Sequence, residues 1–183
     1  MSSRTGQPDL GLPPFVPKFP QFSTINHLPA ALYTLVDMTP EAFLELQIAC
    51  ESEYAQYETD FTRGNNVTPA PRSNFVGESL RAIVNYHVQM NQEAGEQVNL
   101  RLNPTMFIVA FHPNWKKHGV LLVTLDEPNN QHEWCVPDAI KMEAKDSGLL
   151  IVSLEVGSNG WEEVHDNFEI DKEEEPRIYR CEA

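Results

Sequence analysis

Residues 112–135 hold four side chains of the types that bind zinc, and their closeness in sequence suggests a metal site. They are His112, His118, His132 and Cys135. Imidazole nitrogen and thiolate sulfur are the ligands that Zn²⁺ prefers in structural sites. An apolar run that reads as a strand, Gly119–Leu125, separates the first two side chains from the last two. At about 3.3 Å per residue this strand would hold the pairs roughly 20 Å apart, so we predict no metal site and no bound cofactor.

Asp126, His132 and Cys135 are candidates for acid–base or nucleophilic chemistry instead. A carboxylate at a strand end and a nearby imidazole could together transfer protons to and from a substrate. The Cys135 thiol would become a nucleophile if His132 and the start of a helix at Pro137 stabilised its thiolate. Such a site requires an accessible thiol within reach of the imidazole. The alternative is an ordinary polar loop beside a part-buried cysteine.

The segment Gly157-Ser158-Asn159-Gly160 is a candidate ligand-binding turn. It follows an apolar run that reads as a strand and precedes a predicted helix. Backbone N–H groups in that position bind anions in many α/β proteins. The segment lacks both the GxGxxG spacing of dinucleotide-binding proteins and a following Lys-Ser/Thr pair. Because glycine and asparagine are also common turn residues, a plain turn is the alternative.

A sheet in the C-terminal half must position these side chains. Three short apolar runs are typical of buried strands: Thr105–Phe111, Gly119–Leu125 and Leu149–Val156. Only seven residues, 112–118, join the first two runs, which is too short for a parallel crossover, so these two strands are predicted to be antiparallel. Residues 137–147 read as a helix that begins at Pro137 and is stopped by Gly148, which makes residues 119–156 one βαβ unit. The 112–118 loop then lies at one end of the sheet, and Asp126 and the 157–160 turn lie at the other.

Two helices are predicted in the N-terminal half. Thr39-Pro40-Glu41 combines a capping hydroxyl, a proline at the first helical position and an acid near the helix N-terminus. This helix is expected to end near Arg63–Gly64, and a second helix to run from about residue 75 to residue 94. The prolines at 69 and 71 indicate a loop between them. We expect the two helices to form a hairpin-like pair on one face of the sheet.

Further elements complete the predicted fold. Residues 31–36 are a candidate edge strand, and Asn159 is a candidate cap for a last helix that buries Trp161, Val164 and Phe168. His87 lies on the apolar face of the second helix and is predicted to be a buried core residue. The fold class is therefore α/β, with α+β as the alternative. It comprises a small mixed sheet, a C-terminal βαβ unit, an N-terminal helix pair and an extended N-terminal arm.

The two ends of the chain differ in composition from its middle. Residues 1–30 contain six prolines, which exclude helix and central strand. We interpret them as an extended Pro- and aromatic-rich arm that lies on its own domain or on a second copy. A polyproline ligand with PxxP spacing is the other interpretation. The predicted organisation is an arm over 1–30, a single α/β domain over 31–170 and an acidic tail over 171–183.

The formal net charge of −14 limits the classes of partner. Residues 37–60 hold seven acids and no Lys or Arg, and residues 162–182 hold nine acids against three bases. Such surfaces repel phosphate backbones, so we expect no nucleic-acid binding. No apolar run is long enough to cross a membrane. With three scattered cysteines and no secretory signal, the expected location is the cytoplasm or nucleus.

Two functions from different classes are consistent with these features. The first is a non-enzymatic, acidic protein-interaction or regulatory module. It would bind a protein partner, which could be basic, or a second copy of this chain through the N-terminal arm. The second is a small enzyme or ligand-binding protein with its site at the strand C-termini, around Asp126, Cys135 and the Gly157–Gly160 turn.

Overall fold

A computed structural model describes residues 8–19, 27–96, 101–125, 134–158, 160–168 and 179–180. Its strands are β1 (Gly11–Leu12), β2 (Val16–Pro17), β3 (Ala30–Thr34), β4 (Val67–Asn74), β5 (Met106–Ala110), β6 (Val120–Thr124), β7 (Trp134–Cys135), β8 (Asp138–Met142) and β9 (Tyr179–Arg180). Its helices are α1 (Pro40–Tyr57), α2 (Leu80–Glu96), α3 (Trp115–His118), α4 (Ala144–Glu155) and α5 (Trp161–Phe168).

The main sheet is mixed and has the strand order β4-β3-β5-β6-β8. Strand β3 runs parallel to both of its neighbours, β4 and β5. Strand β6 is antiparallel to β5 and to β8. The predicted α/β class with a mixed sheet is therefore confirmed, and so is the antiparallel pairing inferred from the short 112–118 connection. The predicted edge strand at residues 31–36 is instead the interior strand β3, because parallel neighbours pair with both of its edges.

Both faces of this sheet are buried, and each face has its own hydrophobic core. Ala31 and Tyr33 of β3 point into a core that α2, Phe75 and the N-terminal segment cover. Ala30 and Leu32 point to the opposite face, where α1, α4 and α5 pack. The predicted pairing of α1 and α2 on one face is therefore wrong, although both helices exist.

The chain order explains why these helices separate. Helix α1 connects β3 to β4 on one side of it, and α2 then connects β4 back past β3 to β5. Right-handed crossovers that run in opposite directions along a sheet place their helices on opposite faces. The segment predicted as a loop because of Pro69 and Pro71 forms strand β4, which lies at the edge of the sheet. An edge strand tolerates proline because no neighbouring strand on its solvent side needs the missing N–H group as a hydrogen-bond donor.

The predicted C-terminal βαβ unit is wrong. Residues 138–142, predicted as a helix, form strand β8, and residues 144–155, which include the predicted third strand, form helix α4. Gly148 was interpreted as a helix stop, but it lies inside α4. An added Cβ there would lie 2.4 Å from Nδ2 of Asn66 and 2.5 Å from the Cys50 carbonyl oxygen. Glycine is thus required for close packing of α4 on α1, rather than for chain termination.

The helix boundaries are set by local hydrogen bonds. The Thr39 hydroxyl accepts from the Ala42 backbone N–H at 3.2 Å, as predicted for the start of α1. Helix α1 ends at Tyr57, earlier than predicted. Helix α2 begins at Leu80, later than predicted, because Phe75 N–H still donates to the Thr34 carbonyl next to the sheet. The predicted last helix is present as α5, with Val164 buried.

The N-terminal segment packs onto the domain. Strand β2 pairs antiparallel with β7, and β1 pairs parallel with β9. Leu10, Leu12 and Val16 are buried in the core beneath α2. Phe15, by contrast, is 61% exposed. Within the described part of the chain, no helix has the length and apolar character needed to cross a membrane.

Candidate functional site

The structure describes only part of the predicted catalytic site. Asp126 and His132 lie outside the described residues. Cys135 is fully buried, at 0% exposure, in the core beneath α2. No helix begins at Pro137, because strand β8 begins one residue later, so the predicted activation of the thiol by a helix start is wrong. A substrate has no direct access to the Cys135 sulfur in this fold.

The Gly157–Gly160 turn connects two helices rather than a strand and a helix. Gly157 adopts a φ of 70°, and the Ser158 hydroxyl donates to the Ser153 carbonyl at 2.9 Å. These features close the C-terminal end of α4. The Gly160 carbonyl then accepts the first backbone hydrogen bond of α5, which the Val164 N–H donates at 3.1 Å. Asn159 lies outside the described residues. The turn therefore does not lie at the end of a strand, as the ligand-binding prediction required.

Two of the four side chains considered above as metal ligands, His112 and His118, lie close together in the structure. The rings of His112 and His118 lie with their centroids 3.8 Å apart and their planes tilted by 32°. The backbone N–H of Asn114 donates to Nδ1 of His112 at 2.9 Å. Among the described residues, however, no group of three His, Cys, Asp or Glu side chains could hold a metal ion. The pair lies where the chain leaves β5, at the carboxyl end of the parallel strands.

His87 and Tyr33 form a buried polar pair inside the core beneath α2. The Tyr33 oxygen lies 2.8 Å from Nδ1 of His87, and both residues are fully buried. Burial lowers the pKa of His87 to about 4, although the backbone carbonyl groups of Asn103 and Pro104 oppose the shift. The imidazole is therefore neutral at pH 7 and packs against the Phe107 ring at 4.5 Å. The prediction of a buried core histidine is confirmed.

Glu51 on α1 is a buried carboxylate whose oxygens accept hydrogen bonds from backbone N–H groups. Its side chain accepts hydrogen bonds from Gly64 N–H at 2.9 Å, Asn66 N–H at 3.3 Å and Val67 N–H at 3.0 Å. These amides belong to the loop that enters β4. Such an arrangement stabilises the chain path and leaves little accepting capacity for a substrate. The thiol of Cys50 beside it is also inert, because burial raises its pKa to about 12.

An imidazole–carboxylate pair that the sequence analysis did not predict lies at the amino end of β3. Nδ1 of His27 lies 2.5 Å from Oε2 of Glu155, the last residue of α4. The Asn103 side-chain amide donates to the other carboxylate oxygen at 2.6 Å. The hydrogen bond with Glu155 raises the pKa of His27, with burial opposing it and the Asn65 backbone contributing. Because 128 residues separate the partners, no local motif could have indicated them.

We expect the contribution of the His27–Glu155 pair to the free energy of unfolding to depend on pH. The folded-state pKa of His27 lies above 6.5, so its contribution is fully present below pH 6.5 and is lost as the pH rises through the folded-state pKa. We expect His27→Gln to lower the free energy of unfolding at pH 6 by less than about 1 kcal/mol, because the side chain is 33% exposed. The loss should shrink at pH 9. Equal losses at both pH values in urea titrations would contradict this role.

The outward face of α1 carries an apolar pair beside carboxylates. Leu44 and Ile48 are 46% and 40% exposed and lie one helical turn apart. Glu41 and Glu45 are exposed on the neighbouring row of the same helix. We call these four residues the α1 docking face. The sequence held a signal for it, since Leu44 and Ile48 fall off the stripe that Leu46 and Cys50 bury.

A second exposed apolar patch lies on the two-stranded β2–β7 ribbon. Val16 and Cys135 pair with each other and point into the core, and their neighbours along both strands point outward. Phe15 is 61% exposed, Trp134 49% and Val136 38%. The ribbon therefore combines a structural inner face with an aromatic outer face.

The described side chains that could do chemistry are thus separated rather than convergent. His27 with Glu155, His87 with Tyr33, and His112 with His118 occupy three different places in the fold. Each pair has partners within the protein, and the cysteine thiols of the described residues are buried. Comparison of the chain with models of known protein families, with curated proteins and with solved structures found no match.

Proposed function

We propose that this chain is a non-enzymatic protein-interaction module that binds a basic, amphipathic segment of another protein through the α1 docking face. The observation that carries the proposal is the exposure of Leu44 and Ile48 beside Glu41 and Glu45 on one helix. Exposed apolar side chains rimmed by charge are typical of interaction sites. The interaction would take place in the cytoplasm or nucleus.

The local charge favours a basic partner over a neutral or acidic one. Seven acids and no Lys or Arg lie within residues 37–60, in a chain of net charge −14. Opposite charge accelerates encounter and sets orientation, whereas burial of apolar side chains supplies most of the affinity. Glu45 already pairs with Lys116 of α3 at 2.6 Å. Because that pair is exposed, it is worth little energy and can exchange for a partner cation.

The arrangement of the other polar groups supports binding rather than catalysis. The Glu51 carboxylate, the His87 imidazole and the thiols of Cys50 and Cys135 are all buried. Catalysis by a nucleophile and its base requires the two groups within hydrogen-bond reach of each other and of a substrate. The described groups serve packing and backbone hydrogen bonds instead.

The test measures binding of a labelled helical peptide made of lysine and leucine, about 18 residues long to match α1. Fluorescence anisotropy should show that it binds the full chain more tightly than a glutamate and leucine peptide of the same pattern. Leu44→Ser combined with Ile48→Ser should weaken binding at least about tenfold. The charge of the protein is unchanged in this variant, so the loss reports on the apolar pair.

The matched control removes a similar apolar area elsewhere, by Phe15→Ser combined with Trp134→Ser on the β2–β7 ribbon. Its affinity should stay within about twofold of the unsubstituted chain, because mutations at distant sites act independently. Equal weakening in the two double variants would show non-specific attraction and overturn the proposal. So would a loss confined to the ribbon variant, or equal binding of the two peptides.

A further inference from the structure

The connection between β5 and β6 concentrates positive charge in a chain that is otherwise strongly acidic. Residues 97–125 contain no Asp or Glu, and within them His112, Lys116, Lys117 and His118 follow directly on β5. Lys141 of β8 joins them across the sheet, since its ammonium nitrogen lies 5.7 Å from the ring centroid of Phe111, the residue before His112. We call His112, Lys117, His118 and Lys141 the β5–β6 corner.

The corner lies where sheets of this kind bind ligands. Strands β3 and β5 are parallel neighbours, and their carboxyl ends share one edge of the sheet. The chain leaves β3 toward β4 on one side and leaves β5 toward β6 on the other. Ligands of open α/β sheets usually bind outside the strand ends at such a topological switch point. The sequence indicated ligand binding at strand ends, but it placed the site at the opposite end of β6, around Asp126.

The hydrogen bond to His112 selects the kind of ligand. Nδ1 accepts from the Asn114 backbone N–H at 2.9 Å, so it carries no proton. In the neutral ring the proton is then on Nε2, which becomes a donor. A metal ion would require the Nε2 lone pair, which this tautomer does not offer. The ring therefore favours an anion that accepts a hydrogen bond.

The groups that face His112 are themselves basic. Burial, His118, Lys117 and Lys141 all lower the pKa of His112, in that order of size. Lys116 of α3 instead pairs with Glu45 on α1. The His112 and His118 rings, with centroids 3.8 Å apart, repel each other when both are charged. A bound anion would offset the repulsion among these basic groups.

We propose that the β5–β6 corner binds a doubly charged oxyanion of the phosphate class, held by Nε2–H of His112 and the ammonium group of Lys117. No covalent step is involved. The site shares no residue with the α1 docking face, so either proposal can fail without the other.

Sulfate is the first probe, because it is doubly charged at neutral pH. Isothermal titration calorimetry at constant ionic strength and pH 7 should show saturable binding of sulfate to the full chain. Lys117→Ala and His112→Phe should each weaken this binding at least about fivefold, through loss of a charge and of a donor. The phenylalanine retains a ring against His118. Lys117 is exposed and His112 is partly buried, and circular dichroism would verify the fold of each variant.

The matched control is Lys145→Ala, which removes one positive charge at an exposed position of α4, where the ammonium group already pairs with Glu143. It should change the sulfate affinity less than about twofold. A loss equal to that of Lys117→Ala would mean a diffuse charge effect and would overturn the proposal, as would the absence of saturable sulfate binding at pH 7. Parallel titrations with inorganic phosphate and glycerol phosphate distinguish a free ion from a phosphomonoester. Tighter binding of either one supports the proposed chemistry, and binding of neither refutes it.

Discussion

Replacing Glu51 with alanine is expected to lower the free energy of unfolding by about 3 to 5 kcal/mol. The carboxylate is 2% exposed and accepts from the backbone N–H groups of Gly64, Asn66 and Val67. Each buried amide that loses its acceptor costs about 1 to 3 kcal/mol, and alanine also leaves a cavity. Because these amides guide the chain into β4, the change should also loosen the edge of the sheet.

Chemical denaturation with urea measures this effect, and amide hydrogen exchange locates it. Val67 N–H should exchange faster in the Glu51→Ala variant, before amides of the central strand β5 do. Glu51→Gln keeps one accepting oxygen and should lose less stability than alanine. The matched control is Glu53→Ala, which removes a partly exposed carboxylate from the same helix and should cost less than about 0.5 kcal/mol. A Glu51→Ala variant within about 1 kcal/mol of the parent would show that the amides find other acceptors.

Acidification from pH 6.5 to pH 4 is expected to remove about 3 kcal/mol of stability through His87 alone. Burial lowers its folded-state pKa from 6.5 to about 4, so below pH 6.5 the unfolded chain binds a proton that the folded chain excludes. The stability is fully present above pH 6.5 and is lost as the pH falls toward the folded-state pKa. This direction is opposite to that of His27.

The double variant Tyr33→Phe with His87→Leu isolates this contribution, since it removes the titrating group and its hydroxyl partner together. Between pH 6.5 and pH 4, the decrease in its free energy of unfolding should be about 3 kcal/mol smaller than the decrease measured for the parent. Nuclear magnetic resonance of the parent offers a direct check. The His87 ring protons should show no titration between pH 8 and pH 5.5, and a midpoint near pH 6.5 would contradict burial of a neutral imidazole.

Several elements could be predicted from the sequence because their signals are local. The Thr39 cap, the proline at position 40 and the apolar stripe of α1 all act within one or two turns of a helix. The runs that form β5 and β6 are buried on both faces, and their seven-residue connection allowed only antiparallel pairing. Charge, length and composition likewise depend on no tertiary contact.

The region 138–156 could not be predicted, because its signals are ambiguous until packing is known. A short apolar run such as Leu149–Val156 fits a buried strand and a buried helix equally well. Pro137 and Gly148 resembled a helix start and a helix stop. In the fold, Pro137 precedes an edge strand and Gly148 allows α4 to approach Cys50 of α1. Contacts between residues distant in sequence decided both assignments.

For the candidate sites, too, the sequence indicates residue types, whereas the tertiary structure determines burial and partners. From residue types alone, Cys135 was a possible nucleophile and residues 157–160 a possible ligand turn. The depth of the Cys135 thiol and the helix before Gly157 are properties of the tertiary structure. His27 and Glu155, or Lys141 and the Phe111 ring, meet only because the sheet brings distant strands and helices together.

The sequence by itself determined an acidic α/β chain with two buried antiparallel strands and an acidic first helix, because hydrophobic period, capping and charge act over a few residues. Only the tertiary structure decided that α1 and α2 lie on opposite faces, that residues 138–142 form an edge strand, and which histidines meet which partners. Those outcomes depend on strand order and on burial, which are set by contacts between segments far apart in the chain.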